Sequence, residues 1–120
     1  MKSSAIRMFA AVVITACFAV SAFAGANYGS VRHNDEVFPF ATDTYQIVFS
    51  GGDLARIGVI GDGSTNLSLY VYDDDGNPIV SDRDSDDDKL VQWTPRRTGQ
   101  FTVKIVNRGP VENDYVLLTN

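Results

Sequence analysis

The stretch Asn66 to Asn77 reads N-L-S-L-Y-V-Y-D-D-D-G-N. Leu67, Leu69 and Val71 alternate with Ser68, Tyr70 and Tyr72, which sends successive side chains to opposite faces, as in a half-buried strand. Asp73 to Asn77 then crowds turn formers together, and Gly76 and Asn77 take a positive φ at little cost. Pro78-Ile79-Val80 is a short apolar return, so the whole predicts a β-hairpin. Pro78 has no N–H to give a ladder and suits the first residue of an edge strand. A chain built around such a hairpin is a chain of antiparallel strands.

The same pattern recurs on both sides. Tyr45 to Phe49 is closed by Ser50-Gly51-Gly52-Asp53, and Ala55 to Ile60 by Gly61-Asp62-Gly63-Ser64. After a loop over Ser81 to Lys89, Leu90 to Thr94 is stopped by Pro95. Gln100 to Val106 carries Phe101, Val103 and Ile105 on one face. Asn107-Arg108-Gly109-Pro110 turns the chain into Asp114 to Thr119. Gly25 to Pro39 is polar, lacks a clear period and reads as an N-terminal arm with room for one short strand. About seven or eight strands at intervals of roughly 10–12 residues, with no helical period, predict an all-β fold, an antiparallel β-sandwich or barrel. We place that domain over residues 40–120, after an arm over 25–39.

Met1 to Ala24 is of another kind. Lys2 and Arg7 form a basic start, Met8 to Val20 is almost wholly apolar, and Ala22-Phe23-Ala24 fits a small-x-small cleavage rule before Gly25. This predicts a signal peptide and a periplasmic or extracellular protein. An apolar run of about 17 residues is short for a bilayer-spanning anchor, so no membrane insertion is expected after cleavage. A lipoprotein is the other alternative, with Ile14-Thr15-Ala16-Cys17 as lipobox, but Phe18-Ala19-Val20 continues the apolar segment where a polar tether belongs.

Removing 24 residues from 120 leaves 96, one small domain. Cys17 is the sole cysteine and leaves with the signal, which excludes disulfides, thiol catalysis and thiolate-bound zinc from the mature protein. Loss of Lys2 and Arg7 leaves 8 basic residues against 15 acidic ones, a net charge near −7. Nucleic acid and anionic membranes are poor partners for such a surface.

With these residues in view, a family resemblance emerges. The order Asp43-x-Tyr45, Gly51-Gly52, Asn66 to Asp73, Gly76-Asn77, Trp93-Thr94-Pro95, Thr98 to Val103, Asn107-Arg108-Gly109 and Tyr115 resembles the bacterial pre-peptidase C-terminal (PPC) domain family. The resemblance covers about residues 40 to 119. It implies a small jelly-roll-like β-sandwich, related to collagenase collagen-binding modules, that is not an enzyme and in some members binds calcium. Asn66 and Ser68 stand where many members carry acidic residues.

Chemistry is loudest in the acids. Asp73, Asp74, Asp75, Asp82, Asp84, Asp86, Asp87 and Asp88 place 8 of the 15 acidic residues within 16 positions. Calcium takes 6–8 oxygen ligands, so a carboxylate-rich loop lowers the cost of gathering them. Asp82, Asp84 and Asp86, helped by Asp87 or Asp88, are the expected Ca2+ ligands; a solvated loop that blunts a sheet edge is the competing reading. Asp73-x-Asp75-x-Asn77 begins like an EF-hand loop, but Pro78 replaces the required glycine and no flanking helices exist. His33 is the only histidine and has no nucleophile motif beside it. Trp93 shares the phase of Val91 and is expected in the core. Tyr70 and Tyr72, opposite Leu67, Leu69 and Val71, are the candidate ligand contacts. The sequence thus predicts a secreted, non-catalytic binding or accessory module for an envelope or extracellular protein or polymer. A structural or assembly domain that pairs without a specific ligand is the alternative.

Overall fold

Alternation becomes pairing in the computed structural model, which describes residues 30–120. Eight strands form: β1 (Val31–Val37), β2 (Thr42–Phe49), β3 (Ala55–Ile60), β4 (Leu67–Tyr72), β5 (Pro78–Asp82), β6 (Asp88–Trp93), β7 (Gly99–Asn107) and β8 (Asn113–Thr119). No helix forms among the described residues. The expected signal peptide, Met1 to Ala24, lies outside them.

Two four-stranded sheets stack, one in the order β1-β8-β3-β6 and the other β2-β7-β4-β5. The first strand thus pairs with the last, the second with the seventh, the third with the sixth and the fourth with the fifth. This nested arrangement is that of a jelly roll.

The inward face of each strand supplies the core. Tyr45, Ile47 and Phe49 of β2, Ile57 and Val59 of β3, Leu67, Leu69 and Val71 of β4, Val103 and Ile105 of β7 and Leu117 of β8 are all buried. Each contributes about 1.5–3 kcal/mol by leaving water. Phe49, Trp93 and Phe101 close one end edge-to-face, with ring centroids 5.0 to 6.1 Å apart. Trp93 is therefore a half-buried core residue, as its phase predicts.

The hairpin from β4 to β5 forms as read. Gly76 sits at φ 85°, and the Asp73 N–H donates to the Asn77 carbonyl at 2.9 Å. Pro78 opens β5, an edge strand, where its missing N–H costs nothing. Several boundaries differ from the sequence reading: β2 begins at Thr42 rather than Tyr45, and β6 ends at Trp93 rather than Thr94. The segment expected as loop, Ser81 to Lys89, gives Ser81 and Asp82 to β5 and Asp88 and Lys89 to β6. The polar arm contributes a full seven-residue strand, β1, paired with β8 along its whole length.

One turn departs from usual chemistry. Phe38-Pro39-Phe40-Ala41 is closed by the Ala41 N–H on the Phe38 carbonyl at 3.1 Å, and Phe40 takes φ 53°. Proline second and a left-handed residue third is the pattern of a type II turn, whose third place normally goes to Gly or Asn.

Candidate functional site

The acidic loop is organised around a lysine. Lys89 shares the inward phase of Val91 and Trp93 on β6, and its side chain is 0 % exposed. Its ammonium lies 3.6 Å from Asp82 Oδ1 and 3.2 Å from Asp86 Oδ1, and donates to the Asp84 carbonyl. Asp82 Oδ2 accepts from the Leu90 N–H at 3.1 Å. Burial pushes the Asp82 carboxyl up, but the Leu90 and Asp84 N–H groups and the Lys89 charge outweigh it and hold it below its usual value.

Two of the expected calcium ligands, Asp82 and Asp86, therefore bring a carboxylate to this ammonium, and Asp84 brings only its main-chain carbonyl. The other two diverge. Asp87 Oδ2 accepts from the Gly63 N–H at 2.5 Å and from Asn113 Nδ2 at 3.1 Å, which ties β6 to the loop after β3. A side chain at Gly61 would collide with that carboxylate. Asp88 is exposed on the outer face of β6. The donor set does not fit a resident calcium ion, because the cationic place among Asp82, Asp84 and Asp86 is taken by Lys89.

Asp62 knits the same end of the molecule. It accepts from the Ser64 hydroxyl at 2.5 Å and the Asp114 N–H at 2.9 Å, bonds that hold its carboxyl below the usual range. Nearby, Glu36, Glu112 and Asp114 bring one carboxylate oxygen each within 4.8 Å of one another. Sequence distance hides this trio, since β1 and β8 meet only in the folded sheet.

His33 lies beside a buried chain of polar groups. Its Nε2 is 3.5 Å from Asp35 Oδ2, which in turn accepts from the Tyr45 hydroxyl at 3.2 Å. The Tyr45 and Tyr115 hydroxyls lie 2.5 Å apart, and Tyr115 donates to the buried Asp43 Oδ2 at 2.7 Å. Burial raises both phenol pKa values, so both stay neutral well into alkaline solution. The chain bridges β1 and β8 in one sheet to β2 in the other. Asp43 could have been noticed in the sequence as an acid in the inward phase of Tyr45.

Tyr70 and Tyr72 take the outer face of β4, as predicted. Their rings stack at 6.4 Å with 25° between planes, and Lys104 Nζ of β7 lies 5.3 Å from the Tyr72 centroid. Pairing places Thr42, Thr44 and Gln46 of β2 and Gln100, Thr102 and Lys104 of β7 on this face. Arg108 Nη1 donates to Ser68 Oγ at its end, at 3.2 Å. None of these outward positions is acidic, in a chain of net charge −5. At the opposite end from the Lys89 loop, an open cleft of about 890 Å3 is lined by Asp73 to Asp75, Trp93, Arg96, Arg97 and Phe101, among others.

No family model and no curated protein matches the sequence. Solved structures do match the fold. The pre-peptidase C-terminal domain of a collagenase from Bacillus anthracis superposes with a TM-score of 0.60 at 10 % identity, covering 83 % of this chain and 93 % of that one. PliG of Aeromonas hydrophila, a periplasmic lysozyme inhibitor of g-type lysozyme, gives 0.56 at 16 % identity, covering 76 % and 84 %. The Yersinia pseudotuberculosis-derived mitogen gives 0.54 at 12 % identity, covering 77 % and 85 %. At these identities the likeness establishes the architecture, a small β-domain of the kind found in a PPC domain.

Proposed function

We propose that the protein is an exported, non-catalytic binding module that grips a protein or polymer of the envelope or extracellular space through its tyrosine face. One observation carries this reading: an acid-free sheet face with two stacked tyrosines and a lysine over one ring, on an otherwise acidic molecule. Aromatic rings bury much area with few torsions to freeze, and their hydroxyls and the ammonium add directional contacts. A pyranose ring or an extended peptide suits such a ladder. Export is supported by the leader-like start and by the fold shared with a collagenase domain and periplasmic inhibitors. The absence of catalysis is supported by the engagement of Asp35, Asp43, Tyr45 and Tyr115 with one another. The module is assigned no metal, because an ion at the acidic loop would have to displace Lys89.

Titration of isotope-labelled protein with peptidoglycan fragments, a collagen-like peptide and a g-type lysozyme tests this. One probe should shift the amides of Tyr70, Tyr72 and Lys104. The Tyr70→Ala/Tyr72→Ala variant should lose that response while its Tm stays within a few degrees. A response confined to another surface, or collapse of the double variant's Tm, would overturn the tyrosine face.

A further inference from the structure

The outer face of the β1-β8-β3-β6 sheet carries a charge pattern that is complementary to itself. Four cross-strand rows run along it. Arg56 and Gln92 form the first, and Arg32, Leu118, Gly58 and Leu90 the second. Asn34, Val116, Ile60 and Asp88 form the third, and Glu36 and Asp114 the fourth. The arginines thus gather at one end and the carboxylates at the other, with aliphatic side chains between. Leu90 is 62 % exposed and Ile60 48 %, unusual for strand residues of a soluble domain. Gly58 leaves a hollow in the middle, one row from Ile60; a side chain there would meet Leu118 at ordinary contact distance.

We propose that this face is a homodimer interface, its occupant a second copy of the chain related by a two-fold axis lying in the interface across the strands. Such an axis reverses strand direction, so the arginine end of one copy lies over the carboxylate end of the other. Ile60 of each copy then enters the hollow over its partner's Gly58, and Leu118 meets Val116. The carboxylates of Glu36, Glu112 and Asp114 receive a guanidinium. An axis along the strands would instead set arginine over arginine. The face is roughly 20 by 20 Å at ordinary strand spacing, about 800 Å2 over both copies, below the size of a stable interface, so the dimer is a weak and reversible one. It uses the sheet opposite the tyrosine face and leaves that face open in both copies.

Sedimentation equilibrium between about 1 µM and 1 mM, on protein purified from cells expressing the full-length chain, tests the proposal. The wild type should pass from monomer to dimer, and Leu90→Asp should weaken association at least tenfold with its Tm unchanged. Arg32→Glu/Arg56→Glu and Asp88→Lys/Asp114→Lys should each be monomeric alone, yet pair when mixed, because the first has reversed the charge of its arginine end and the second that of two carboxylates at its acidic end. A wild-type monomer at all concentrations overturns the proposal, as does a dimer indifferent to Leu90→Asp. Absence of pairing in a mixture of the two variants, each with the wild-type Tm, overturns it too.

Discussion

Lys89 decides what the acidic loop is. Placed among Asp82 Oδ1, Asp86 Oδ1 and the Asp84 carbonyl, its ammonium supplies the positive charge that a row of carboxylates otherwise draws from solution. The acids were legible in the sequence. The lysine between them was not, because lysine rarely buries fully without a partner, and its partners lie across a turn. Yet its phase with Val91 and Trp93 points inward. Phe40 is the converse case: its type II turn was hidden because the third place holds a residue that local chemistry disfavours. Replacing Lys89 by Ala should cost about 2 kcal/mol, since the two carboxylates it neutralises are only partly buried. It should also vacate a place for a divalent ion. Thermal melts with calcium against chelator should therefore leave wild-type Tm unchanged in millimolar calcium and raise that of Lys89→Ala. A calcium-stabilised wild type would restore the loop as a metal site.

At the scale of elements, the least legible piece is β1. Its inward positions are Val31, His33, Asp35 and Val37, so half of its buried face is polar and a search for apolar alternation passes over it. What holds it is the hydrogen-bonded chain that runs from Asp35 through Tyr45 and Tyr115 to Asp43. The strands with aliphatic inward faces, β3 and β4, fall where the sequence places them, residue for residue. Tyr115→Phe removes the hydroxyl that donates to Asp43 and meets Tyr45. A hydrogen bond to a charged group contributes about 1.5–3 kcal/mol, so Tm should fall by on the order of 10 °C. The pH dependence carries a second signature. Burial raises both phenol pKa values above the value of about 10 expected in the unfolded chain. The folded state holds those protons longer, so this stabilisation is complete below pH 10 and declines as pH rises beyond it. Urea midpoints from pH 9 to 11 should drop less steeply for Tyr45→Phe/Tyr115→Phe than for wild type. Equal slopes would show that the pair does not govern alkaline unfolding.

For the molecule as a whole, the strands other than β1 were readable and strand partnership was not, because pairing in a nested topology depends on residues far apart in sequence. Val31 meets Thr119, whereas β4 and β5 meet across a five-residue turn. The fold class and the hairpin therefore came from local alternation, while the Glu36, Glu112 and Asp114 trio and the dipolar face exist only once β1 and β8 are joined. The same nesting orders folding. Closing a loop costs entropy that grows with its length, so the β4–β5 hairpin closes cheaply. Each pair outside it then closes a loop already shortened by the pair within. The β1–β8 pair should then come last, and the domain should fold in milliseconds to seconds, as non-local β-folds do. Leu69 of β4 and Val37 of β1 are both fully buried, so truncating either to Ala destabilises by cavity formation, on the order of 2 kcal/mol or more. Stopped-flow kinetics should separate them. Leu69→Ala should chiefly slow folding, and Val37→Ala should chiefly accelerate unfolding. The reverse assignment would mean that the outer strands nucleate the sandwich and that the hairpin is a late addition.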